Sequence, residues 1–271
     1  MTRAVGVRWT VGDVSPFGFE ALRASMRGCR RVFGEDARYA VVVNSISPDE
    51  ARRRVGEVPA HVEFLAASVD QIPPAFAARL DPGLAEGVAW KLAPPRVFPD
   101  RFELALDNDC ILWEMPTAVR AWLDRGEGCV IAEDVQACFG RFAPLAGGAP
   151  RNSGIRGLPP GFDLAVAIAG VLREHPAPIS SELDEQGLQV AAVARAGAQW
   201  VVGIDEVSIC SPFPPHQPEL GRCGAHFVGV NVRHAPWELD GRPAVEWLRE
   251  HWLRWREEVL ARTGAPERVA V

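Results

Sequence analysis

Short apolar segments alternate with capped helical segments through the first hundred residues, and the last apolar segment runs straight into two aspartates. Ala4–Trp9 reads as a first strand. Ser15-Pro16 then offers a helix N-cap followed by proline at the first helical position. Leu22, Met26, Cys29 and Phe33 recur on one helical face. Tyr39–Val43 is a continuous run of the kind carried by a strand buried on both faces of a parallel sheet. Ser47-Pro48-Asp49-Glu50 has the capping-box pattern and opens a second, short helix, and Val62–Leu65 reads as a third strand. This alternation is the signature of the α/β class, strands of a sheet alternating with helices that flank it. Phe102–Leu106 is the next strand, and it delivers Asp107-Asn108-Asp109.

Further along, Pro116–Arg125 reads as a helix and Cys129–Ala132 as a strand. Ile72–Gly83, Leu92–Pro99 and the Gly- and Pro-bearing stretch Gly140–Gly161 read as connections. Asp163–His175 and Asp184–Ala196 are expected helices, and Trp200–Ile204 and Ala225–Val230 expected strands, with Pro-rich Ser211–Gly224 irregular between them. The last helix, about Pro243–Arg262, aligns Val245, Leu248, Trp252, Trp255 and Val259 in one stripe.

Composition excludes several classes of function. With 271 residues, 48% of them hydrophobic, the chain suits a single domain. The formal charge of −6 and the absence of a basic run argue against nucleic acid as partner, because phosphate neutralisation needs clustered Lys and Arg. No apolar stretch is long enough to span a membrane. The arginines of the last helix are matched by Glu246, Glu250, Glu257 and Glu258, which leaves at most weak peripheral membrane contact. The six cysteines form no CxxC pair or zinc-type spacing, and with no secretory signal a cytoplasmic location is expected. No nucleophile elbow, Walker loop or dinucleotide-binding glycine fingerprint is present.

Two carboxylates flanking one residue at a strand end can reach a common divalent cation. Mg²⁺ or Mn²⁺ takes such hard oxygen ligands and keeps positions open for phosphate oxygens. The bland reading of the same residues is a turn with solvated or capping carboxylates. The position favours a site, because ligands of open α/β sheets collect at the carboxyl ends of strands. A second element, His226-Phe227-Val228-Gly229 followed by Pro236-Trp237, joins it.

Together these residues resemble the retaining GT-A glycosyltransferases that include glycogenin and the lipopolysaccharide galactosyltransferases (the family 8 type). The resemblance implies Asp107, Asp109 and His226 as ligands of Mn²⁺ (or Mg²⁺). It makes Asp107-Asn108-Asp109 a clamp for metal and diphosphate, and a nucleoside-diphosphate sugar the donor. It further implies transfer of a hexosyl unit, with retention, to a carbohydrate or other hydroxyl acceptor. Residues 1–110 would form the nucleotide-binding half of a single GT-A domain, its mixed and mostly parallel sheet flanked by helices on both faces, and 111–271 the sugar and acceptor half with its C-terminal helix.

Other positions follow from the same resemblance. The family's lysine before Pro-Trp is missing here, and Arg233 or His234 is the substitute cation for the departing diphosphate. Asn152-Ser153-Gly154 matches an Asn-x-Gly element beside the donor sugar, and Glu185-Gln186 an acidic-Gln pair facing the transferred sugar, with Asp184 the other acidic choice. Lys91, the sole lysine, and Arg96 stand where the family has a basic residue upstream of its aspartates. Trp9-Thr10 ends the first strand where the nucleobase would sit, through contacts that are largely backbone. Glu133-Asp134 follows another strand and reads either as acceptor contacts or as a solvated strand end. Two rival functions stay open at this point. One is a non-catalytic nucleotide-sugar-binding module. The other is a sugar-nucleotide nucleotidyltransferase, although Gly12–Gly18 lacks that class's Gly- and Arg/Lys-rich loop.

Overall fold

A computed structural model describes residues 3–81 and 89–264. Strand β1 (Val5–Val11) leads into helix α1 (Pro16–Phe33), where the Ser15 hydroxyl accepts from the Gly18 amide at the N-terminus. Strand β2 (Arg38–Val43), helix α2 (Pro48–Val55, capped by Ser47) and strand β3 (Val62–Ala66) follow as expected. A short helix α3 (Pro74–Ala77) lies inside the expected connection Ile72–Gly83, whose last two residues fall outside the described residues. Then come β4 (Phe102–Asp107), β5 (Cys110–Leu112), α4 (Thr117–Arg125), β6 (Cys129–Glu133), α5 (Ala143–Ala146) and β7 (Arg151–Leu158). Helices α6 (Leu164–Glu174) and α7 (Glu182–Ala194) precede β8 (Gln199–Val202), β9 (Val207–Cys210) and β10 (Gly224–Phe227). A two-stranded ribbon, β11 (Glu238–Leu239) and β12 (Arg242–Pro243), leads into α8 (Ala244–Arg262).

Seven strands form the main sheet in the order β3-β2-β1-β4-β7-β6-β8. All neighbours pair in parallel except at β7, which runs antiparallel to both β4 and β6. A second sheet, β5-β10-β9, packs beside α1.

The two faces of the main sheet differ in chemistry. On one face Val7, Trp9 and Val11 bury against Leu22, Met26 and Cys29 of α1, which is the stripe that the spacing predicts. On the other face the register aligns Arg8 of β1, Ala105 of β4 and Arg156 of β7. Arg8 and Arg156 are almost fully buried there, with Glu103 two positions from Ala105 on the same face. Arg8 donates to the carbonyls of Lys91 and Pro94 and to the Thr10 hydroxyl. The segment that precedes β4 is thereby tied down over a polar layer rather than an apolar one. Arg96 has the same structural use, donating to the carbonyls of Phe98, Arg101, Pro159 and Phe162.

The largest departure from the sequence reading is Gly140–Gly161, expected as a loop. It holds α5 and the eight-residue strand β7 in the middle of the sheet. The two glycines within β7, Gly154 and Gly157, mislead because tertiary crowding, not turn geometry, selects them. A Cβ on Gly157 would lie 2.8 Å from the Val130 Cβ and 3.1 Å from the Trp122 ring. β5 and β9 were also missed, being only three and four residues long. The terminal stripe holds: Trp252 and Val259 are buried, Val245, Leu248 and Trp255 partly so, and Trp252 packs edge-on to Phe227. Among the described residues no helix is long and apolar enough to cross a membrane.

Gly157→Ala tests the crowding explanation. The substitution is expected to cost about 1–3 kcal/mol by overpacking. It should lower the urea midpoint with little change in slope, whereas an unchanged midpoint would contradict this account of β7.

Candidate functional site

Strand β4 ends at Asp107, and the chain turns through Asn108-Asp109 into β5. β5 pairs antiparallel with β10, placing His226 opposite Cys110, and the Phe227 amide donates to the Asp109 carbonyl at 2.9 Å. Local pairing therefore fixes the imidazole beside the carboxylates although more than a hundred residues separate them in sequence. His226 Nε2 lies 3.3 Å from Asp109 Oδ1 and 3.7 Å from Asp107 Oδ2. One ligand atom from each of the three residues lies within 4.8 Å of the others. Two carboxylates and one imidazole, converging in a largely buried setting, fit a divalent ion of the Mn²⁺ or Mg²⁺ class.

Neighbouring groups fix this arrangement. Gly154 stands behind His226, and a Cβ there would come 2.5 Å from the imidazole Cε1. The missing side chain admits the ring. Asn231 donates to Asp109 Oδ2 at 2.8 Å, and its amide exchanges two further hydrogen bonds with that of Asn108. Asn231 escaped the sequence reading because an Asn five residues beyond a histidine carries no motif of its own.

Lys91 Nζ sits 2.9 Å from both Asp107 oxygens and 3.9 Å from Glu185 Oε2. Burial disfavours its charge, but Asp107, Glu185 and Asp109 outweigh that and hold its pKa above the ordinary lysine value. Asp107 is half-buried, which disfavours its charge, yet Lys91, His226 and Arg156 keep its pKa below the usual carboxylate value. Burial likewise opposes protonation of His226, and Asp109 and Asp107 overcome it, raising the imidazole pKa. Glu185 is the exception. Burial pushes its carboxyl up to about 7, Lys91 and Arg156 only partly offset this, and its Oε1 has no partner.

These residues line a cavity of about 540 Å³. It gathers Thr10, Lys91, Asp107, Asn108, Asp109, Asn152, Glu185, Gln186 and His226 among the expected site residues. Gln186 donates to the Cys138 carbonyl at 3.0 Å. Asp134 also faces the cavity, accepting from Asn152 Nδ2 at 2.9 Å, whereas Glu133 accepts from the Ile204 amide. Asp184 does not line it, because its carboxylate is held by Arg141 and Ser180, and of the two acidic residues it is Glu185 that faces the cavity.

The side chains of three other expected residues are not brought in. The Trp9 side chain is fully buried on the opposite sheet face, its Nε1 donating to Ser25. Arg233 lies along the outside, paired with Asp13 and the Val14 carbonyl, and Asp13 also takes Arg54. His234 is exposed away from the cavity. Asn44 and Ser45 do line it and were missed, since an Asn-Ser pair after a strand reads as an ordinary turn.

Glu185 gives a signed dependence of stability on pH. Between its ordinary value of 4.5 and about 7, the folded chain keeps a proton that the unfolded chain has lost. Stability therefore falls as pH rises through that window. Glu185→Gln removes the penalty, so metal-free variant and parent should melt alike near pH 4.5. By pH 8 the variant should gain on the order of 3 kcal/mol. Parallel melting curves across that range would refute the assignment.

No family model and no curated protein matches the chain. Solved structures do. The galactosyltransferase LgtC in complex with donor and acceptor sugar analogues aligns with a TM-score of 0.53 at 14% identity, covering 93% of this chain and 99% of that one. An active-site mutant of LgtC gives 0.52 at 13% over the same shares. The apo form of mouse xyloside xylosyltransferase 1 gives 0.54 at 13% identity, over 85% of this chain and 99% of that chain. The expected architecture is thus the observed one: the chain has the GT-A glycosyltransferase fold and resembles LgtC in structure.

Proposed function

We propose that the protein is a divalent-metal-dependent glycosyltransferase that moves a hexosyl unit from a nucleoside-diphosphate sugar to an acceptor hydroxyl, with retention of configuration. One observation carries the reading: Asp107, Asp109 and His226 converge at the floor of a cavity built on a GT-A scaffold. A bound Mn²⁺ or Mg²⁺ would neutralise the diphosphate and stabilise it as leaving group.

The chain's own residues divide the remaining work. Thr10–Val14, Asn44 and Ser45 line the part of the cavity contributed by the first half, where the nucleoside is placed. Lys91 keeps Asp107 ionised and contributes positive charge beside the diphosphate. Asn152 and Gln186 present amides to the transferred sugar, and Glu185 presents its carboxyl. Retention rests on the family resemblance alone.

A second reading, a nucleotide-sugar-binding module, has one observation in its favour. Arg233, the expected substitute for the missing lysine, is engaged with Asp13 and leaves the loop after Gly229 without a cation in the cavity.

Calorimetry with uridine diphosphate, with and without Mn²⁺, tests the main proposal. Binding should need the metal, and Asp109→Ala and His226→Ala should each weaken it at least about tenfold, as loss of a ligand or of its orientation does. Metal-independent binding, or no loss in Asp109→Ala, would sink it. Metal-dependent binding without hydrolysis or transfer across a panel of sugar donors would select the binding module.

A further inference from the structure

Behind the Lys91–Asp107 pair lies a smaller cavity of about 20 Å³, room for one water-sized group. Arg8 and Arg156 flank it in register across Ala105, and Lys91, Asp107, Ser153 and Gln189 are among its other lining residues. Two of its side chains carry buried polar atoms without a partner. Arg156 is 2% exposed, and its Nε has no hydrogen-bond partner. Gln189 is fully buried, and neither its amide nitrogen nor its oxygen has one.

A buried guanidinium nitrogen without a partner is costly, and Arg8, by contrast, is spent on backbone carbonyls. Burial disfavours the charge of Arg156, and the carboxylates of Glu103, Glu185 and Asp107 favour it. The charges near the candidate metal site explain why a buried cation belongs there. Above pH 7, where Glu185 too is ionised, Asp107, Asp109 and Glu185 would leave a site carrying three negative charges, attractive to a cation but hostile to a diphosphate. Lys91 removes one of them. A second buried cation brings the site close to the balance that a metal–diphosphate pair requires.

We infer that Arg156 is a positioning residue. Acting across the small cavity without touching ligand, its charge weakens the hold on the bare metal ion and strengthens the hold on the nucleoside diphosphate. This inference rests on the proposed metal and donor site, and it marks Arg156 as the residue that tunes the site between its two ligands.

The test is the sign of two affinities, measured at pH 8 by calorimetry with Mn²⁺ alone and with uridine diphosphate at saturating Mn²⁺. Arg156→Met should bind Mn²⁺ about threefold or more tightly and uridine diphosphate about threefold or more weakly, as a charge lost several ångströms away requires. Arg156→Gln, polar but uncharged, should give the same two signs should Arg156→Met fail to fold. Arg156→Lys should return both affinities toward the parent. Gln189→Met alters the same cavity without altering charge and should move neither affinity beyond about twofold. A merely structural role would weaken both ligands together, and that result, or no change in either neutral variant, overturns the inference. Absence of Mn²⁺ binding in the parent would instead defeat the proposed function itself.

Discussion

Asp107 and Asp109 leave the end of β4 as like charges in a largely buried setting, and such charges repel strongly unless something compensates them. Lys91, bonded to both oxygens of Asp107, and His226, beside both aspartates, supply that compensation. Much of the surrounding architecture serves to keep these four residues together. The Lys91 segment is anchored through its backbone by Arg8, His226 is held by the β5–β10 pairing, and Asn231 ties Asp109 and Asn108 to the loop after Gly229. The compensation is incomplete in the direction that matters for function. Against the effect of burial, the carboxylates around the imidazole raise its pKa, and burial together with Asp107 raises that of Glu185. Both shifts carry a contribution from excess negative charge, which the proposed divalent ion would relieve.

The division of the main sheet into an apolar and a polar face follows from the same demand. Trp9 and its neighbours give β1 a conventional hydrophobic seat against α1. The reverse side carries Arg8, Glu103 and Arg156 beneath α7 and the segment before β4, where a purely stabilising design would place aliphatic residues. Burying that charge lowers stability, and its proximity to Asp107 gives it a use. Stability and site electrostatics are thus coupled through one layer of side chains.

How much of this was legible in the sequence depended on whether local rules governed each residue. Ser15 and Ser47 as caps, the helical face of Leu22, Met26 and Cys29, and the strand leading to Asp107 all obey local periodicity and turn chemistry, and all appear where expected. β7 does not, because Gly154 and Gly157 answer to His226 and to Val130 with Trp122, neighbours that only the fold reveals. Within the site, Asp107, Asp109 and His226 were legible as a motif. Asn231 was not, and the choice of Glu185 over Asp184 required seeing that Arg141 and Ser180 occupy the aspartate. Arg233 and His234 were placed in the site by position along the chain, whereas Arg233 pairs with Asp13 and His234 is exposed outside the cavity lining.

The central claim is that Asp107, Asp109 and His226 hold one divalent ion together. Anomalous diffraction at the manganese edge, from crystals soaked with Mn²⁺ and uridine diphosphate, addresses it most directly. The account predicts a single strong peak within bonding distance of a carboxylate oxygen from each aspartate and of His226 Nε2, with diphosphate oxygens completing the shell. A peak that leaves His226 uncoordinated, or no peak in this cavity at saturating Mn²⁺, would contradict it.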